Sequence, residues 1–475
     1  MLAPLEIVDQ LKARLGECLA DLADQAPRTG AGAGEFGDDG VPPLLSLVLP
    51  LPRVPTAAPQ LEGPLFQLQR AHGSELRAGY GSAIEWAADG PLRLQRLARI
   101  GARLRPRWRR LDPDESGLDA FAMLGFAASP DAAPQVEDHL PNAILWVPEI
   151  GLTVQQGEAA LVLSAAGPVS GARLQRTWEA ALERLVPRLY PPLTGPLTAA
   201  RLQREFAEPD LGGWTALVED ALAEIAADGL QKVVLSRRLD VRGPRCFDIG
   251  RLVGALGCLF PTCQIVNLRR NGKSFVAATP ERLLRQCGGH LTVDAIAGTA
   301  ARAEDAERDA ALSEALLGCD KNLREHRHVI EAITEALSDC CESIAAPSRP
   351  EVMQLTNAHH LWSPIDARTR PGLDVFALAE RLHPTPATNG RPRGRAQEWL
   401  RVAEPFDRGW YTGAAGIVHP DLSGELWVLL RCARVCGDRA ELYAGAGIVA
   451  GSDAASEWQE TEAKLQAMLT ALQYA

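Results

Sequence analysis

The run Tyr443-Ala-Gly-Ala-Gly-Ile-Val-Ala-Gly-Ser452, with Glu457-Trp-Gln-Glu460-Thr-Glu-Ala-Lys464 close behind it, sets a strand of small residues directly before a charged helix. Side chains without bulk let backbone N–H groups come close to a ligand. In the helix, Glu457, Glu460 and Lys464 stand at i, i+3 and i+7 and share one face. Two carboxylates and an ammonium beside accessible amides suit a divalent cation next to an anionic substrate. For the helix taken alone, plain i, i+4 pairing of Glu460 with Lys464 is an even competitor.

Outward from this pair of elements, 409–418, 425–435 and 440–449 read as successive strands and 456–472 as the last helix. Before them lie a helix at 372–382, stopped by His383-Pro384, and a strong helix at Asn322–Leu337; the polar, alanine-rich 303–314 is helical or loop-like. Strands are expected at 263–268 and 273–278, a helix at 248–259, the strand Lys232-Val-Val-Leu-Ser236 and a helix at 215–228. In the first part of the chain, Val8, Leu11, Leu15, Leu19 and Leu22 form a helical stripe over 3–24. A Gly-, Ala- and Pro-rich connection, Gln25–Gly40, leads to short strands at 44–53, 65–69, 84–86, 120–126, 143–147, 149–154 and 159–163, then to a helix at 172–187. Many meander-like strands with inserted helices favour an α+β sandwich over a doubly wound sheet. The proline-rich stretch Pro191–Pro196 marks a boundary.

A chain of 475 residues can bury a large core, and its formal charge of -11 argues against the basic footprint that nucleic-acid wrapping needs. The ten cysteines are scattered without a CxxC pair, so they read as small apolar residues in a reducing compartment rather than as zinc ligands. Met1-Leu-Ala-Pro-Leu-Glu6 does not read as a signal peptide, and no stretch is long and apolar enough to cross a membrane. A cytoplasmic location is the resulting expectation. A GxGxxG string, Gly32-Ala-Gly-Glu-Phe-Gly37, falls within the Gly-, Ala- and Pro-rich connection rather than between an expected strand and helix, and no Walker loop occurs, leaving nucleotide binding without direct support.

Several side chains carry candidate chemistry. Glu325, in Arg324-Glu-His-Arg-His328, opens an apolar-periodic helix, where a carboxylate also serves ordinary N-terminal stabilisation. Lys232 starts a strand and Glu281 follows one in Ala278-Thr-Pro-Glu-Arg-Leu-Leu284. In one closed pocket the two would make a general base and a general acid. Arg431 offers two parallel donors to a carboxylate, Lys464 a compact charge, Tyr411 a hydroxyl, and His360 an imidazole that either meets a polarised hydroxyl or satisfies a core carbonyl. Aromatic sheet packing is an equal reading of Tyr411. No HExxH or local His/Cys cluster supports a zinc hydrolase.

As a set, Lys232-Val-Val-Leu-Ser-Arg237, Ala278-Thr-Pro-Glu-Arg-Leu283, Ala295-Ile-Ala-Gly-Thr299, Leu382-His-Pro-Thr-Pro-Ala387, Gly409-Trp-Tyr-Thr-Gly-Ala-Ala-Gly416 and the two stretches above resemble the chorismate-utilising enzymes, most closely the isochorismate synthases. The match covers about 210 to 470. The resemblance implies a large two-sheet sandwich with helices on the outer faces, in which 1–205 supplies sheet and support and 206–475 binds chorismate. It implies Mg2+ held at Glu325 and Glu460, with Glu457 beside it. Substrate carboxylates would meet Arg431, Tyr411, Lys464 and the backbone around Ala444, Gly445 and Gly447, while Ala297, Gly298, Thr299 and His360 border the ring. Lys232 resembles the base that activates water, where aminating relatives carry glutamine. Ala297 stands where aminodeoxychorismate synthases carry a nucleophilic lysine. Water is therefore the expected nucleophile, and no obligatory glutamine amidotransferase, nucleic-acid or membrane partner is expected; the chain would be a monomer or weak homodimer. A salicylate synthase that also eliminates pyruvate, and a silent chorismate-binding regulatory protein, are the alternatives. The sequence departs from the family pattern at Asn389-Gly390 and at Ser363, and the 357–360 stretch is expected to shift a local loop around His360.

Overall fold

The computed structural model describes residues 3–25, 40–55, 57–70, 74–131, 140–168, 170–191, 198–356 and 358–475, with side chains of the first helix described as far as Asp21. The Gln25–Gly40 connection and the Pro191–Pro196 boundary lie outside the described residues except at their ends, as does the Leu22 side chain. Two sheets face one another; among the described residues the larger has 13 strands and the smaller 10. Helices Pro4–Gln25 and Gly171–Leu185 cover one end of the larger sheet, and Ile249–Leu259 and Ala454–Leu472 the other. Arg93–Leu104, Asp320–Leu337 and Val375–Leu382 cover the smaller. This is the α+β sandwich with outer helices that the order of elements predicts.

Alternation along the strands builds the core between the sheets. Phe66 and Leu68, Val266 and Leu268, and Phe275 and Ala277 point inward from the larger sheet onto Phe121, Met123, Ile144, Trp146 and Trp427. Their strand neighbours Ile265, Val276 and Ala278 point outward beneath helix Ile249–Leu259. Both faces are thus buried, which is why these strands read as nearly unbroken apolar runs. In the first helix, Val8, Leu11, Leu15 and Leu19 are buried along one stripe, each such side chain worth roughly 1.5–3 kcal/mol when fully covered.

Strands distant in sequence alternate in both sheets. Leu65–Gln69 pairs with Gln264–Arg270, and Ala122–Phe126 with Ala414–Val418. The two long strands His290–Ala301 and Ala358–Thr369, neither expected from periodicity, pair along their whole length in the smaller sheet. The second places His360 in register with Thr299, so the expectation of a shifted loop at His360 is corrected to a strand position.

The run 425–435 reads as one strand in sequence, yet the chain makes two. Gly424–Val428 belongs to the smaller sheet and Cys432–Cys436 to the larger, and Arg431 crosses between them at φ +47, a backbone region seldom used by a bulky residue. A second crossing runs from Lys273–Thr279 in the larger sheet to Arg282–Cys287 in the smaller, through Pro280-Glu281. The two crossings are tied together: Val428 N donates to Glu281 O at 3.0 Å and Ala278 N to Arg431 O at 3.2 Å. The expected 409–418 strand likewise starts only at Ala414, leaving Tyr411 in the turn ahead of it.

Candidate active site

A cleft with about 780 Å3 of empty space opens between the sheets at these crossings. Lys232, Glu281, Ala297, Gly298, Thr299, Glu325, His360, Tyr411, Arg431, Ala444, Gly445, Gly447, Glu460 and Lys464 all line it. Glu457 does not; its carboxylate accepts from Lys321 Nζ at 2.8 Å beside the cleft.

One wall combines the strands Lys232–Arg242 and Arg439–Ile448 with the helices Asp320–Leu337 and Ala454–Leu472. Lys232, 1 % exposed, donates to Glu325 Oε1 at 2.8 Å, and Lys464 donates to Glu460 Oε1 at 2.7 Å and to Gly445 O at 2.9 Å. Burial alone would push the Glu325 carboxyl up, but the Lys232 ammonium against it, helped by Lys464 and Lys321, holds it below the usual range and ionised. The Glu457 carboxyl is pushed up by burial, only partly offset by Lys321, with Glu460 adding repulsion. The helix Asp320–Leu337 is oriented by His326, Val329, Ile333 and Leu337, a buried stripe facing the smaller sheet. His326 also bonds Ser363 at 2.9 Å, so the departure to serine keeps a hydroxyl where one is used. On the far side of the strand, Arg237 lies over the Trp458 ring at 3.5 Å and pairs with Glu462, which registers the last helix against the strand that begins at Lys232.

The small residues of this wall have steric and hydrogen-bonding reasons. A Cβ at Gly445 would lie 2.7 Å from Leu235 O and 2.9 Å from the Tyr411 hydroxyl, and one at Gly447 would lie 2.8 Å from Glu325 Oε1 and 3.0 Å from Lys232 Cε. Gly445 and Gly447 sit opposite Ser236 and Val234, whose N–H groups donate elsewhere, to Glu404 and to Asn389 O. Antiparallel alternation then turns the Gly445 and Gly447 amides away from that neighbour, towards the edge left open where the strand Cys432–Cys436 has ended.

The opposite wall is built from the crossings and the two long strands. Glu281, 3 % exposed, is pushed up to about 8 by burial, with the nearby Asp294 charge adding to the effect. Its carboxyl is therefore mostly protonated at neutral pH, with the Thr385 hydroxyl 3.4 Å away. Arg431, 8 % exposed, has no carboxylate partner among the described residues; it bonds His360 Nε2 at 2.7 Å and leans on Cys263 Sγ at 3.8 Å. Burial lowers its guanidinium somewhat, but arginine stays charged. Burial, then Arg431, hold His360 well below the ordinary histidine range, so it is neutral. Because Nε2 accepts from Arg431, the proton sits on Nδ1, which faces Gly298 O at 3.3 Å and Thr299 Oγ1 at 3.2 Å. Tyr411 stacks on Tyr443 with centroids 5.4 Å apart.

Glu325 and Glu460 offer hard oxygen donors on one side of the cleft. That chemistry fits a Mg2+ ion that keeps several waters and takes one or two carboxylates plus oxygens of its substrate. Among the described residues, no group of three or more His, Cys, Asp or Glu side chains forms a closed metal cage. The ten cysteines are free thiols. No helix of the described residues is long and apolar enough to cross a membrane.

Lys321, Asp294, Thr385 and Cys263 were not singled out in sequence. Thr385 stands inside the Leu382–Ala387 motif, which gave a signal; the others acquire partners only through folding.

Comparison with known proteins identifies the family. A family model described as chorismate binding enzyme matches residues 42–473. The chain belongs to that family. It is 32% identical over 338 residues, 70% of each chain, to isochorismate synthase MenF of Bacillus subtilis. Over 259 residues, 54% of each, it is 38% identical to the salicylate biosynthesis isochorismate synthase of Pseudomonas aeruginosa. The solved structure of MenF, the menaquinone-specific isochorismate synthase from Escherichia coli, superposes with a TM-score of 0.74 at 28% identity, covering 96% of this chain and 99% of that one.

Proposed function

We propose that this chorismate binding enzyme is an isochorismate synthase, interconverting chorismate and isochorismate with Mg2+ as cofactor. The observation that carries the reading is a buried carboxyl, Glu281, kept protonated to about pH 8 in the same cleft as the amine of Lys232. A proton donor and a proton acceptor on one cavity are what a hydroxyl transposition needs.

Arg431, with no carboxylate partner among the described residues, receives one substrate carboxylate, and the Gly445 and Gly447 amides with Lys464 lie within the same lining. His360 keeps the Arg431 guanidinium in place through Nε2. As Lys232 gives up its hydrogen bond to Glu325 its ammonium first passes a proton to solvent, and the amine so formed takes a proton from water as that water's oxygen bonds to C2 of the ring. The ring double bond shifts, the C4–O bond breaks, and the Glu281 proton goes to the departing hydroxyl, which leaves as water. Glu281 ends as carboxylate and Lys232 as ammonium, and proton exchange with solvent resets both. Glu325 and Glu460 would hold Mg2+, which when bound supplies Lewis-acid stabilisation to the ring carboxylate. Such acid–base help is commonly worth about 10²–10⁴-fold.

Incubation of the purified chain with chorismate and Mg2+ tests this, with isochorismate as the expected accumulating product. Salicylate with an equal amount of pyruvate would replace the reading with a salicylate synthase, and unchanged chorismate would leave a silent binding protein.

A further inference from the structure

Away from the cleft, the outer face of the larger sheet holds a second cavity with about 730 Å3 of empty space, lined by Glu62, Phe247, Arg269, Ser274 and Val435 among others. Two polar groups of its lining, the Ser274 hydroxyl and Arg269 Nη2, are buried and have no hydrogen-bond partner among the described residues. Ser274 is 2 % exposed and its hydroxyl bonds nothing; Arg269 spends Nε on Gly63 O at 3.3 Å, while its buried Nη2 bonds nothing. Buried hydroxyl and guanidinium donors are almost always satisfied, because an unmet one keeps its full desolvation penalty.

The two residues are neighbours along the sheet. Arg269 and Ser274 are direct cross-strand partners in the antiparallel pair Gln264–Arg270 with Lys273–Thr279, which puts their Cβ atoms roughly 4.5–5.5 Å apart on one face. Arg269 reaches across to Gly63 while Ser274 stands on the other neighbouring strand, so the two donors approach the same cavity from different sides. Phe247, Ile249 and Val435 supply an apolar surface around them. Glu62, exposed on the same lining and acting on Arg269, opposes negative charge on any ligand, and a dicarboxylate such as chorismate more than a monocarboxylate.

We propose that this cavity is a second ligand site, separate from the catalytic cleft, for a small monocarboxylate with an apolar body. The strands that carry Ser274 and Val435 run on to Glu281 and Arg431 at the cleft, so the two sites share a structural frame.

Titration of the full chain with 4-fluorobenzoate, followed by 19F NMR, tests the assignment, because a carboxylate probe can also enter the cleft at Arg431. Binding is expected to persist in Arg431→Gln and to weaken at least tenfold in Arg269→Met. Should Arg269→Met fail to fold, as read by circular dichroism, Ser274→Ala is expected to fold and to weaken binding several-fold. Affinity unchanged by Arg269→Met or Ser274→Ala, or lost only in Arg431→Gln, would overturn the proposal. So would no binding at millimolar probe, since ordered water would then account for both orphan donors.

Discussion

The two walls of the cleft treat charge in opposite ways. On the helix side every lysine meets a carboxylate: Lys232 with Glu325, Lys464 with Glu460, and Lys321 with Glu457 just outside. On the crossing side Glu281 is neutral at neutral pH, His360 is neutral, and Arg431 is a buried cation without an anion among the described residues. A wall that cancels its own charge can exchange partners with a cation and an anionic ligand at little electrostatic cost. A wall with a desolvated, unpaired guanidinium gains most when a carboxylate arrives. The difference teaches that the two proposed proton-transfer groups face each other from unlike surroundings, Lys232 on the paired wall and Glu281 on the neutral one, and it can be broken one residue at a time.

The largest effect is expected from removing either proton-transfer group. Lys232→Ala and Glu281→Gln should each lower kcat by about 10²–10⁴-fold while chorismate binding, measured by equilibrium titration, is largely kept. Normal turnover in either variant would end the division of roles. Next, Arg431→Gln should raise KM by about 10–100-fold, the worth of a charge-assisted hydrogen bond of roughly 1.5–3 kcal/mol. An unchanged KM would mean that the buried cation is structural.

A smaller loss, about tenfold in kcat, is expected for Gly447→Ala, whose Cβ would push against Glu325 Oε1 and Lys232 Cε at 2.8 and 3.0 Å. Full activity with unshifted metal dependence would show that this contact has slack.

The smallest effect is a pH response. Since Glu281 is raised from 4.5 to about 8, the folded chain binds a proton that the unfolded chain has released between those values, so this group's contribution to stability falls as pH rises through the window. Turnover should decline above about pH 8, and Glu281→Gln should gain melting temperature relative to the natural chain as pH is raised across the window. A melting difference independent of pH would mean that Glu281 titrates normally.

Legibility in the sequence followed the physics of each element. Helices such as Pro4–Gln25 and Ala454–Leu472 declare themselves through a stripe of apolar residues, and strands such as Ala143–Val147 through a short apolar run. His290–Ala301 and Ala358–Thr369 hid because polar groups interrupt both, among them Asp294, which bonds Trp362 Nε1 at 3.0 Å between the strands. The pairing of Lys321 with Glu457, and the absence of Glu457 from the cleft lining, were equally unreadable: both depend on how two helices far apart in sequence meet.

By itself the sequence determined the class of fold and the small-residue strand that lets Glu325 and Lys232 come close, because periodicity and residue size are local; the roles proposed for Glu281, Lys232 and Arg431 rest on the resemblance of their motifs to a family. Only the tertiary structure decided that the chain crosses between sheets at Glu281 and at Arg431, which buries one as a neutral acid and the other as an unpaired cation. Burial and partner are properties of the assembled surroundings, and they, not the residue type, set the charge that each group carries.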